Sequence, residues 1–287
     1  MINKTFILGP IQMLASALFF GVMTYFAKLV SVDISGSEVA FFRLLFGVAV
    51  VLILALTGVI DISSKNKGLL IARGVFGGSA VILFFLGLAN GSLTNSTVLN
   101  NTNPIFAAMI SAVILKEKIT IKMTGSILIA CLGIVVLFWH NINAIKCADL
   151  FSLASGFLGG FAITSVRQLR KRNESAWTIF FYFCIFGLIA SLIFSITSWK
   201  WPTPTQYLLL LLTGSFGLLG QVMMTSAYKY CKAALGGVLS MSTCVFSAFL
   251  GILFLNETPT LLELVGAILI LSASVLAVLF EEPSGNI

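Results

Sequence analysis

Residues 98–120 read VLNNTNPIFAAMISAVILKEKIT, and residues 238–260 read VLSMSTCVFSAFLGILFLNETPT. Laid over one another without a gap, they match Val98 with Val238, Leu99 with Leu239, Phe106 with Phe246, Ala108 with Ala248, Leu115 with Leu255, Glu117 with Glu257 and Thr120 with Thr260. Matches of Leu and Val are cheap in an apolar chain, whereas Leu-x-Glu-x-x-Thr recurring in register is not. The same offset brings Gly74, Phe76 and Gly77 onto Gly214, Phe216 and Gly217. One residue less brings Ala15-Ser16 onto Ala154-Ser155, Gly21 onto Gly160 and Lys28 onto Arg167. The chain therefore reads as two copies of one unit, residues 1–143 and 144–287.

Composition names the solvent of that unit. Of 287 residues, 59% are apolar and 9% charged, against roughly 25% charged in a soluble domain, and the mean hydropathy is +1.07. So large an apolar surplus has no place in a water-soluble fold. A helix crossing a bilayer needs about 20 mostly apolar residues. Cutting the chain at its polar clusters predicts ten spans, near 8–30, 37–59, 69–89, 93–115, 121–139, 148–168, 175–197, 205–228, 233–255 and 261–280. The runs are too long, and alternate too little, for barrel strands. The loops leave no room for a soluble catalytic domain, and the N-terminal run reads as a retained first span.

Lysine and arginine test the count. Lys4, the loop 2/3 set Lys65, Lys67 and Arg73, the loop 4/5 set Lys116, Lys118 and Lys122, the loop 6/7 set from Arg167 to Arg172, and Lys229 and Lys232 fall on one side. Only Lys28, Lys146 and Lys200 fall on the other. The positive-inside rule then predicts both termini in the cytoplasm of a cell membrane. This accounts for the net charge of +7 without a nucleic-acid partner. Five spans per unit is odd, so the second unit enters from the opposite side. The expected fold is all-α, an inverted 5+5 repeat of the kind secondary transporters use, with substrate near the midplane.

Asn103-Pro104-Ile105-Phe106 through Leu115-Lys116-Glu117-Lys118-Ile119-Thr120, then Gly125-Ser126-Ile127-Leu128-Ile129 and Gly133, resembles the EamA signature of the drug/metabolite transporter superfamily. Leu255-Asn256-Glu257-Thr258-Pro259-Thr260 and Gly266-Ala267-Ile268-Leu269 form its second copy. The resemblance implies ten helices, both termini cytoplasmic, and a central cavity lined mainly by spans 1, 3, 4, 6, 8 and 9. It also implies a break at Pro104 in span 4. The second copy has Cys244 where the family often has proline, so the break that the family pattern implies in span 9 has no proline behind it here. Family substrates are diverse, including amino acids and their derivatives, nucleosides, S-adenosylmethionine, sugars and drugs.

Span 4 carries Asn95, Thr97, Asn100, Asn101, Thr102 and Asn103 at a depth where amides are expensive. They read either as a cavity wall or as hydrogen bonds between helices. Span 9 offers a milder arc of Ser240, Ser242 and Thr243. Span 8 stacks Gln221, Thr225 and Tyr228 on one stripe, and span 1 stacks Ser16, Phe20 and Thr24. The span 1 hydroxyls read equally well as bonded to their own backbone. Phe20, Phe84 and Phe161 are candidate stacking faces. Arg43, about 10 Å into span 2, reads as an anion clamp, or as an arginine that snorkels outward or pairs with Glu38. Arg73 reads as a loop cation at the start of span 3. Glu117 and Glu257 fall on opposite faces, so they are no acid/base pair and read as caps of spans 5 and 10.

His140 stands alone, no carboxylate sits mid-span, and the five cysteines are widely spaced. Catalytic, metal and cofactor roles are therefore not expected. The expected function is alternating-access transport of a small organic metabolite, amino-acid-like, nucleoside-like or drug-like, in a monomer or homodimer. An intramembrane enzyme acting on a lipid or headgroup is the alternative.

Overall fold

The computed structural model describes residues 4–90, 98–139, 146–147, 149–196, 199–255 and 259–281. Their regular structure is all helix, with no strand among them: α1 (Lys4–Val30), α2 (Gly36–Leu56), α3 (Lys67–Asn90), α4 (Asn103–Ile114), α5 (Ile121–Leu137), α6 (Asp149–Lys171), α7 (Ala176–Ser195), α8 (Pro204–Ala227), α9a (Ala233–Ser240), α9b (Ser242–Leu255) and α10 (Leu261–Leu279). Eight segments, counting α9a and α9b as one, are long and apolar enough to cross a membrane. Val98–Ile114, which contains α4, and Ile121–Leu137 are shorter apolar helices. Asn95, Thr97, His140 and Glu257 lie outside the described residues.

Helix starts follow from local chemistry. Ser35 with Glu38, Thr203 with Gln206 and Thr260 with Glu263 form capping boxes at α2, α8 and α10, each satisfying otherwise orphaned amides. Thr120 caps α5 through Met123 N. The capping role expected of Glu117 is thereby corrected: its carboxylate turns to Arg167 instead.

The loops sort onto two faces. On one, Ser64 Oγ and Asn66 Nδ2 donate to Glu174, and Arg172 donates to Asn66 Oδ1, tying loop 2/3 to loop 6/7. On the other, Lys200 N donates to Glu38 Oε1 and Gln206 Nε2 to Asp33 Oδ2. There Phe41, Phe42, Trp199, Trp201 and Tyr207 form an aromatic cluster, as a membrane–water interface favours.

Glycines set the helix crossings. A methyl group at Gly160 would lie 2.6 Å from Phe106 Cβ, and one at Gly21 2.8 Å from Phe246 Cβ. The two contacts occupy matching positions of the two units, and each joins the first helix of one unit to the fourth of the other. Gly133 meets Ile270 while Gly266 meets Leu137, so α5 and α10 run antiparallel. A methyl at Gly266 would stand 2.5 Å from Leu137 N and 2.7 Å from Gly133 O. Backbone cannot yield as a side-chain tip does. Overpacking costs about 1 to 3 kcal/mol and the gain in helix propensity returns about 1. Gly266→Ala should therefore cost a net of up to about 2 kcal/mol, read as a lowered Tm in detergent. An unchanged Tm would mean that α5 and α10 separate more freely than this contact allows.

Candidate functional site

Span 4 is discontinuous. After Val98–Asn100 the chain turns at Asn101 and Thr102, and α4 restarts with Pro104 in its first turn. Proline lacks the amide that would continue the ladder. Span 9 breaks too, at Met241 between α9a and α9b, the position matching Asn101. The break that Cys244 had left open is therefore present. Here the ladder shortens: Met241 N donates to Val238 O, Cys244 N to Met241 O, and the Ser240 hydroxyl to Gly237 O. A serine bonding back to its own turn thus accompanies the break where proline is absent. The two broken helices meet where Gly237 would place a methyl 2.7 Å from Pro104 Cβ.

Around this meeting point the expected residues fall into two groups. Beside α8, the Ser16 hydroxyl donates to Gly220 O at 2.7 Å. It bonds across to another helix, and no longer presents a free proton to a ligand. The Phe20 ring lies on Gly220 and beneath the Arg43 guanidinium at 5.9 Å. Thr24 Oγ1 and Thr225 Oγ1 donate to carbonyls one turn back, Phe20 O and Gln221 O. Gln221 is 5% exposed, and among the described residues no hydrogen bond engages its amide. Arg43 is half-buried and does not pair with Glu38, whose carboxylate accepts from Ser35 and Lys200.

Beside α6, the Ser155 hydroxyl lies 2.7 Å from Ala80 O and 2.9 Å from Asn100 Oδ1. One hydroxyl proton cannot serve both. With its amide turned, Asn100 donates to Ser155 and Ser155 to Ala80, which joins α3, α6 and the turn before α4. Asn103 borders Gly159, and Asn101 is half-buried and partnered. Phe161 stacks on Phe76 with centroids 5.1 Å apart and meets Phe157 edge-on. On span 9, Ser240 and Thr243 are half-buried, while Ser242 is buried within 3.2 Å of the Ser274 hydroxyl. Asn100 and Ser16 thus join helices, whereas Gln221, Phe20 and Arg43 keep groups unspent.

Two arginines were misplaced by the loop count. Arg167 lies within α6, 3% exposed. Its Nε donates to Glu117 Oε1 at 2.8 Å, and its Nη1 to Tyr228 O and Lys229 O. Glu117 Oε2 also accepts from Ala233 N, the first residue of α9a. This knot ties the two units together at the basic face. Lys232 and Glu281 pair beside it at 3.3 Å, where burial raises the Glu281 carboxyl above its ordinary value against the pull of Lys232. The repeat held a signal, since Arg167 matches Lys28 one helix into the other unit. Arg73 is likewise buried, at 5% exposure, and its signal was the small-residue run Gly74-x-x-Gly77-Gly78 that follows it.

A family model described as the EamA-like transporter family matches residues 7–139 and again residues 146–279. The pseudopaline exporter CntI of Pseudomonas aeruginosa is 26% identical over 93% of this chain and 94% of its own length. Human solute carrier family 35 member G1 is 30% identical over 93% of this chain and 78% of its own. The S-adenosylmethionine uptake transporter of Rickettsia prowazekii is 22% identical over 98% and 96%. A solved crystal structure of 16% identity superposes with a TM-score of 0.82, covering 94% of this chain and 96% of that one, which establishes the shared fold. The family and these relatives are transporters, so the intramembrane-enzyme alternative falls.

Proposed function

The chain belongs to the EamA-like transporter family, and on that footing we propose that it moves a small organic metabolite across a cell membrane by alternating access between two inverted units. The observation that carries this reading is the pair of broken helices, at matching positions, meeting at Pro104 and Gly237. Broken helices free backbone groups at mid-depth for a ligand and give each unit a hinge. Gln221, Asn101, Asn103, Phe20, Phe161 and Thr243 are the side chains we assign to the cargo. The face bearing the Arg167 knot and the linked basic loops is assigned to the cytoplasm. The named substrates of the relatives, pseudopaline and S-adenosylmethionine, support a polar organic cargo of metabolite size. Uptake into proteoliposomes against a panel of amino-acid and nucleoside derivatives tests the reading. Saturable uptake of at least one member is expected, and leak-level uptake of all would overturn it.

Coupling follows from where the acids stand. Asp33, Glu38, Asp61, Glu117, Asp149, Glu174, Glu263 and Glu281 occupy loops or helix ends, so among the described residues no mid-span carboxylate is present to carry a proton. Movement should run down the cargo's own gradient or by exchange. With the membrane potential clamped, a pH gradient alone should give no accumulation above equilibrium, and accumulation would reinstate Glu38 or Asp149 as a proton carrier.

A further inference from the structure

Arg73 sits six residues beyond the start of α3, about 9 Å along its axis. Its Nε and Nη1 are buried and have no hydrogen-bond partner. The guanidinium lies 4.5 Å over the Phe183 ring of α7, with Nη1 pressed against Gly77 one turn on. No carboxylate pairs with Arg73 among the described residues. A cation stripped of water and counter-charge is costly within a membrane, and one ring face offsets only part of that cost.

Arg43 repeats the pattern from α2. It stands over Phe20, its Nε is wedged against Gly217 of α8, and it too has no paired carboxylate among the described residues. Both arginines approach the same turn of α7. Phe183 lies under Arg73, and Cys184 packs on Gly47 one turn from Arg43, within electrostatic range of both guanidiniums. The Tyr228 hydroxyl is also buried and unpartnered, with its ring packed on Gly236 of α9a. Two positive charges therefore stand beside one turn of α7, and among the described residues no acid pairs with either arginine.

We propose that Arg73 and Arg43 bind an anionic oxygen group, carboxylate or phosphate, carried by the transported molecule. The proposal rests on the transporter reading and narrows its cargo to organic anions or zwitterions. Guanidinium supplies paired donors that match either group. The arriving group provides the missing counter-charge and draws Arg73 from the Phe183 ring.

The test is thermal unfolding of the purified full chain in detergent, with succinate, potassium phosphate or the neutral succinamide at matched ionic strength. Wild-type protein should be stabilised saturably by succinate or by phosphate, whichever group the site takes, and not by succinamide. Arg73→Gln should weaken that response tenfold to hundredfold. It should also melt higher than wild type without additive, because an orphan charge is gone; a merely structural Arg73 would give a lower melt. Arg73→Lys should keep part of the response. An equal response in Arg73→Gln, or a wild type indifferent to both anions while proteoliposomes take up neutral metabolites, overturns the anion site and leaves the transporter reading standing. Anion stabilisation lost in Arg73→Gln, with no uptake of any metabolite, retains the site and removes the reading.

Discussion

Glu117→Gln and Arg167→Gln should each lower the stability of the protein by about 3 to 5 kcal/mol, the cost of removing one partner from a buried ion pair. The pair is 7% and 3% exposed at 2.8 Å, so water cannot replace the missing partner. Its members are bound further: Arg167 holds the carbonyls that end α8, and Glu117 holds the amide that begins α9a. Because the residues act as a unit, the double variant should cost little more than either single one. In the proposed alternating-access cycle the knot parts when the protein opens at this face, so either variant should favour the state open there and shift the exchange rate. Unfolding in detergent measures the first effect. Wild-type stability in Glu117→Gln, or strict additivity in the double variant, would show that the pair does not hold the units together.

Gln221→Ala should weaken the apparent affinity for cargo tenfold to hundredfold while leaving Tm nearly unchanged. A buried amide that loses its ligand partner costs about 1 to 3 kcal/mol, and each 1.4 kcal/mol is about tenfold. Gln221 engages no partner among the described residues, so its removal frees no other protein group. Ser16→Ala is the contrasting control: its hydroxyl serves Gly220 O across the α1–α8 crossing, and its loss should fall on Tm. Should Gln221→Ala unfold readily yet bind cargo normally, Gln221 is packing and the assignment to the cargo site fails.

What the sequence made legible and what it hid divide along physical lines. Two repeat offsets, one residue apart, align Gly21 with Gly160 and Phe106 with Phe246, and the fold brings those residues together in pairs because each glycine admits a phenylalanine backbone that any side chain would exclude. The break in span 4 was visible because proline leaves an explicit mark. The break in span 9 was hidden, since a serine turning to its own carbonyl looks like any serine. Counting cations by loop recovered which loops share a face. It misread Arg73 and Arg167, because the count treats every cation near a helix end as solvated, whereas helices α3 and α6 carry those two inside. The asparagines showed the opposite ambiguity: the row read either as a cavity wall or as bonds between helices, and Asn100 takes the second role through Ser155, a partner 55 residues away that no local spacing reveals.

Alternating access is tested most directly by a single cysteine at Thr243, beside the span 9 break, in a variant whose five native cysteines are replaced. A membrane-impermeant thiol reagent is applied from one face of oriented vesicles at a time, with and without cargo. The account predicts labelling from either face, with Glu117→Gln raising the rate from the basic face and lowering it from the other. Labelling confined to one face, unchanged by cargo or by Glu117→Gln, would contradict it.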